Sequence, residues 1–210
     1  MPPPLGPFKH NVFIMKTPRP DKTIGPTLIN LVEILKARGI REVEAWDFLK
    51  APQYQQALRF SPLQPTLPMC FPPMVVEGKS YSTGKTVFEA QNQTAVSGAY
   101  MTDMQHNLAK FTESTCHGSH QSIEPLAFSI YTEGPMVQLW VHYTTLMDNV
   151  RMYHMNILKI CHASSLPSLR DGVREFFEAV DDVMRWATSE LLGEIANQLV
   201  LVWKGTQQAT

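Results

Sequence analysis

Apolar positions recur at helical spacing in some stretches of the chain and at strand spacing in others, a pattern that predicts a mixed α/β (α+β) domain. Leu28, Leu31, Val32 and Leu35 repeat every three or four residues. With Thr27 as N-cap, Gly39 as terminator and Lys36 and Arg38 at the negative end of the dipole, they predict a helix over 27–38. Arg41 to Phe48 alternates only weakly and reads either as a strand or as a short turn of helix. Met74-Val75-Val76-Glu77-Gly78-Lys79 is a short apolar run that ends in an acid and an amine, and reads as a strand. Val87 to Phe111, with Ala90, Ala95, Ala99 and Leu108, supports a long helix.

After a polar stretch from Thr112 to Ser122, the runs Leu126–Tyr131 and Val137–Tyr143 flank Glu133-Gly134 and predict a β-hairpin. Arg151 to Cys161 reads as a further strand. From Ser168 onward Val173, Phe176, Val180, Val183, Ala187, Leu191 and Ile195 keep a helical period, which closes the chain with one or two helices packed across the sheet. Thr23 to Gly25 reads as the start of a strand. Residues 1–20 carry six prolines and form an irregular N-terminal segment, and residues 51–73, also with six prolines, form a long connection lying against the body. The expected organisation is this N-terminal segment followed by a single domain over 21–205.

Composition narrows the functional classes. Of 210 residues, 44% are hydrophobic and 18% charged, as in an ordinary globular domain. Eighteen Lys and Arg against nineteen Asp and Glu leave a net charge of -1, so any phosphate-binding surface has to be local. Cys70, Cys116 and Cys161 fit no disulfide framework and suit a reducing compartment. Neither a signal peptide nor an apolar run long enough to span a membrane is present, so the expected location is intracellular, with nucleus and cytoplasm undecided and no membrane partner.

The chemistry centres on Glu77 and Lys79. Strand alternation puts both on one face, beyond the apolar residues that anchor them. Upstream, Thr17-Pro18-Arg19-Pro20-Asp21-Lys22-Thr23-Ile24-Gly25 supplies a Pro-Asp element. Two carboxylates are hard oxygen ligands suited to Mg²⁺, and a neighbouring lysine can orient or deprotonate a metal-bound water. The bland reading is a solvated pair, since Glu-x-Lys is among the commonest tripeptides.

The block from Phe71-Pro72-Pro73 through Glu77-Gly78-Lys79 to Gln93-Thr94-Ala95-Val96-Ser97-Gly98-Ala99 resembles the centre of a fungal PD-(D/E)xK nuclease-like domain of unknown function. Pro18-Arg19-Pro20-Asp21 resembles its Pro-Asp element, Val141-His142-Tyr143 and Tyr153-His154-Met155 its closing strands, and Met184-Arg185-Trp186-Ala187 its C-terminal helix, so the likeness covers about residues 17–203. It implies a restriction-endonuclease-like fold, a mixed sheet carrying the acidic residues with helices on both sides. It also implies that Asp21 and Glu77 hold Mg²⁺ or Mn²⁺, that Lys79 activates the attacking water, and that Gln93 faces the site from the following helix. The implied activity is phosphodiester hydrolysis of nucleic acid.

Two departures stand beside the likeness. The family's opening helix has no counterpart in the proline-rich start, so that first core helix is absent or the chain is a shortened version. The interval between Asp21 and Glu77 is also long for neighbouring strands. The alternative is therefore a catalytically inactive nuclease-fold scaffold that binds a protein or nucleic-acid partner. A third reading is an interaction module built on the C-terminal amphipathic helices.

Cys116-His117-Gly118-Ser119-His120 could bind Zn²⁺ with Cys161 or His162, but without a second paired motif it reads as a polar loop. His142 and His154 read as hydrogen-bonded edge residues of strands, and Met147, Met152 and Met155 as core filling.

Overall fold

The computed structural model describes residues 20–51, 69–79, 87–115, 123–162 and 170–208. In chain order the elements are β1 (Lys22–Ile24), α1 (Leu28–Ala37), α2 (Glu42–Lys50), β2 (Met74–Lys79), α3 (Val87–Thr115), β3 (Ala127–Glu133), β4 (Met136–Met147), β5 (Val150–His162), α4 (Arg170–Trp186) and α5 (Leu192–Gln208). A π turn, Ala187–Leu191, joins the last two helices. The readings on residues 1–19, on most of the 51–73 connection and on the Cys116–His120 cluster lie outside the described residues.

The strands form one five-stranded mixed sheet in the order β1-β2-β3-β4-β5. Only β2 and β3 run parallel, and α3 is the crossover that parallel neighbours require. Successive residues of β2 enter different cores. Met74 packs with Phe128, Leu139, Phe176 and Val183 on the α4 side, while Val75 packs with Leu31, Leu35, Met101 and Leu108 on the α1 and α3 side. A sheet covered on both faces needs continuous apolar residues rather than alternation, which is why Met74-Val75-Val76 run together. Each fully buried side chain of this size contributes about 1.5–3 kcal/mol.

The helix expected over 27–38 is α1. Thr27 Oγ1 accepts from the Asn30 amide at 3.2 Å and Asn30 Oδ1 accepts from the Thr27 amide at 2.9 Å, a reciprocal cap. Gly39 then takes φ +90°, a left-handed conformation that ends the helix without side-chain strain. The ambiguous stretch after Arg41 is helix α2, favoured by Glu42 and Glu44 in the first turn, where the dipole is positive. Of the C-terminal helices α4 packs across the sheet, with Trp186 at its end meeting Phe128 edge-on at 5.5 Å, whereas α5 lays Ile195, Leu199 and Val202 against α3 and α1 instead.

Two features depart from the expected layout. Strands β4 and β5 run on into a long hairpin turned by Asp148 and Asn149, both at positive φ (50° and 62°), a pair of residues suited to such turns. Met147 and Met152 sit on this extension, 63% and 41% exposed, so they are not core. Both side chains stay partly in water at this end of the sheet. Met155 alone of the three packs inward, against Ala90, Tyr131 and Trp140.

Candidate active site

Strand β1 is short, but its register decides where the Pro-Asp element goes. Lys22 pairs with Val76 and Thr23 with Val75, so Asp21, one position earlier, stands opposite Glu77. Its carboxylate reaches the next residue on: Asp21 Oδ2 accepts a hydrogen bond from the Gly78 amide at 2.8 Å, across a sequence separation of 57. The long interval between the two motifs is taken up by α1, α2 and the segment that follows them. The Pro-Asp element and the Glu-x-Lys strand thus converge.

Their environments differ. Asp21 is exposed, whereas Glu77 is 1% exposed on the sheet face beneath α3. Removing a carboxylate from water costs several kcal/mol unless charge or hydrogen bonds offset it, so a glutamate in this place is unfavourable for packing alone. Lys79 closes β2 with its backbone opposite Glu133, and its side chain lies outside the described residues. Glu133 in turn accepts a 2.7 Å hydrogen bond from the buried Tyr131 hydroxyl, and Tyr131 is the register partner of Glu77. Sequence reading used Glu133 only as a turn residue. The parallel β2–β3 register that brings it to this end of the sheet leaves no local trace.

Helix α3 covers this face with Ala90, Thr94, Ser97, Gly98 and Met101, all buried. Gln93 is exposed, one position off that row. The polar residues that are buried on this part of α3 are Thr94 and Ser97. Below Gly98 lies His142, 2% exposed, with Nε2 at 2.8 Å from Ser129 Oγ. A Cβ at Gly98 would fall inside van der Waals contact of that ring, so glycine is what lets helix and imidazole meet. Burial drops the His142 imidazole from 6.5 to about 4, which keeps it neutral. His142 is therefore a buried residue rather than an edge one. His154 is the more open of the two, stacked on Tyr143 at 5.1 Å and bonded to Thr145 Oγ1 at 2.8 Å.

Among the described residues no three His, Cys, Asp or Glu side chains group closely enough to hold a metal ion. A site on Asp21 and Glu77 would thus offer two carboxylates, a number that suits Mg²⁺, which keeps several of its waters. Cys161 is buried and His162 exposed on consecutive residues of β5. Burial pushes the Cys70 thiol up to about 12, so it is inert as a thiolate ligand or nucleophile.

The model of one protein family, described as a domain of unknown function (DUF7924), matches residues 44–199. The chain belongs to that family. The matched DUF7924 span takes in Glu77, Lys79, Gln93, His142 and the whole of β2 to β5, while Asp21 and β1 precede it. No curated protein and no solved structure matches the chain. No helix among the described residues is long and apolar enough to cross a membrane.

Proposed function

We propose that this DUF7924 chain is a metal-dependent phosphodiesterase of the PD-(D/E)xK type acting on nucleic acid, with Asp21 and Glu77 as ligands of Mg²⁺ or Mn²⁺. The observation that carries the reading is the Asp21–Gly78 hydrogen bond, which brings the Pro-Asp carboxylate to the residue that separates Glu77 from Lys79. A sheet that carries both acids and has helices against its two faces is also what a restriction-endonuclease-like core requires.

In this reading a divalent cation would neutralise charge developing on the scissile phosphate and acidify a bound water. Asp21 offers its carboxylate from the solvent side and Glu77 from the protein side. The Gly78 amide fixes the Asp21 rotamer, so one ligand is oriented before substrate arrives. Lys79, on the same strand two residues on from Glu77, would orient the attacking water. Gln93, on the exposed side of α3, would contact substrate rather than metal. A nucleic-acid partner and an intracellular location belong to the same proposal.

The test is cleavage of labelled single-stranded DNA, duplex DNA and RNA by the full chain in Mg²⁺ or Mn²⁺. Glu77→Gln and Lys79→Ala abolish cleavage while circular dichroism stays unchanged. Equal turnover by wild type and variants overturns the assignment.

One observation favours a second reading. With Glu77 only 1% exposed, the chain would serve as an inactive nuclease-fold scaffold for a protein or nucleic acid. Divalent uptake separates the two, since the scaffold takes up no Mg²⁺ or Mn²⁺ at millimolar concentration.

A further inference from the structure

A groove of about 590 Å³ lies at the other end of the sheet, between the C-terminal half of α3 and the β4–β5 hairpin. From Gln138, the β4 residue in line with Tyr131 and Glu77, to Thr144 in the groove is about 20 Å along the strand. His106, Lys110 and Glu113 enter it from one face of α3, Thr144 and Leu146 from β4, and Arg151 from β5.

At one end of the groove Arg151 is held in an ion pair with Asp103. Arg151 Nη1 donates to Asp103 Oδ1 at 3.0 Å, and the Tyr153 hydroxyl donates to the same oxygen at 2.7 Å. These bonds pin the guanidinium yet leave other N–H groups of its five-donor fork available. His106 Nε2 lies 2.7 Å from Thr144 Oγ1, which ties α3 to β4 along the floor. Burial, then the nearby positive charges of Arg151 and Lys110, depress the His106 imidazole to about 4 against the opposing pull of Asp103. Lys110 and Arg151 both line the groove. Lys110 is in no ion pair among the described residues.

The other walls set the rest of the ligand. Leu146 and Ile123 line the groove although 77% and 37% exposed, an apolar surface that a flat ring would take out of water. Glu113 and Glu124 also line it, and carboxylates accept hydrogen bonds only. They repel an extended polyanion but suit sugar hydroxyls or an exocyclic amine.

We propose that this groove binds a nucleoside monophosphate unit, with Lys110 and Arg151 on the phosphate, Leu146 and Ile123 against the base, and Glu113 or Glu124 accepting from the sugar. Its volume falls within the range of small-ligand sites, roughly 300–1,000 Å³. The proposal is independent of the cleavage chemistry assigned to Asp21 and Glu77.

Calorimetric titration of the full chain with AMP, UMP, inorganic phosphate and a short single-stranded oligonucleotide tests it, with the His106 ring signals followed by NMR. The mononucleotides bind and shift the His106 resonances, and phosphate alone binds at least about tenfold more weakly. Lys110→Gln weakens mononucleotide binding about tenfold, the loss of one charge-assisted hydrogen bond, and Lys110→Arg restores it. Lys110 is exposed, so these variants fold. An oligonucleotide displaced by AMP places a strand terminus in the same site and supports the assignment. The assignment is overturned by absence of mononucleotide binding at millimolar concentration, by affinity unchanged in Lys110→Gln, or by oligonucleotide binding with which AMP does not compete.

Discussion

The Asp21 carboxylate accepts the Gly78 amide proton at 2.8 Å, so the residue that leads into β1 is fastened to the strand that carries Glu77 and Lys79. A charged acceptor on an exposed amide contributes about 1–2 kcal/mol. Asp21→Ala should lose that amount in urea denaturation. Asp21→Asn, whose amide oxygen still accepts, should retain most of it while losing divalent affinity. Equal metal binding by Asp21→Asn and wild type would remove Asp21 from the ligand set.

Gly98 and His142 are matched across the α3–sheet contact. In a helix interior Gly→Ala ordinarily stabilises by about 0.5–1 kcal/mol. Here the added methyl meets the buried imidazole, and overpacking of this kind costs about 1–3 kcal/mol. Gly98→Ala should therefore destabilise the fold, read as a lowered midpoint in thermal or urea unfolding. A raised midpoint would show that the helix shifts freely over the ring.

The same histidine makes stability depend on pH. Its folded value near 4 lies below the ordinary 6.5, so between those values the unfolded chain binds the extra proton. Stability is then complete above pH 6.5 and falls as pH drops toward 4, by about 3 kcal/mol at the limit. His142→Gln should flatten the profile across that window, measured as the unfolding free energy at pH 7 and pH 4.5. The remaining slope would come from His106, lowered for the reasons given above, and from carboxylates titrating at the acid end.

The β4–β5 turn places Asp148 and Asn149 at positive φ, where glycine is unstrained. Asn149→Gly should leave stability unchanged or raise it by up to about 0.5 kcal/mol, and Asn149→Val should lower it by more than 1 kcal/mol, in the range of about 1–3 kcal/mol for a residue held in an unfavourable backbone region. Unfolding midpoints of the two variants decide this, and equal midpoints would show that the turn relaxes.

How much was legible follows from what is local. Thr27, the Leu31-Val32-Leu35 stripe and Gly39 name α1 and its two ends, because capping and period lie within a dozen residues. The Glu133-Gly134 hairpin and the amphipathic α4 are legible for the same reason. Arg41–Phe48 stayed ambiguous because its alternation is weak, and packing of Ala45, Phe48 and Leu49 into the core settled it as helix. Asp21 and Glu77 stand out in the sequence as candidates, but the contact of Asp21 with Gly78 depends on the antiparallel β1–β2 register, which local pattern does not encode.

The sequence by itself determined the mixed α/β class, the identity of most elements and the presence of an acid-x-lysine strand, since these rest on period, capping and turn residues near one another in the chain. Only the tertiary structure decided that Asp21 reaches Gly78, that Glu77 is buried while Gln93 is exposed, that His142 lies beneath Gly98, and that Met147 and Met152 stand in solvent. Each of those depends on which surfaces are brought together by sheet register and helix packing, and burial is a property of the assembled layers rather than of any single segment.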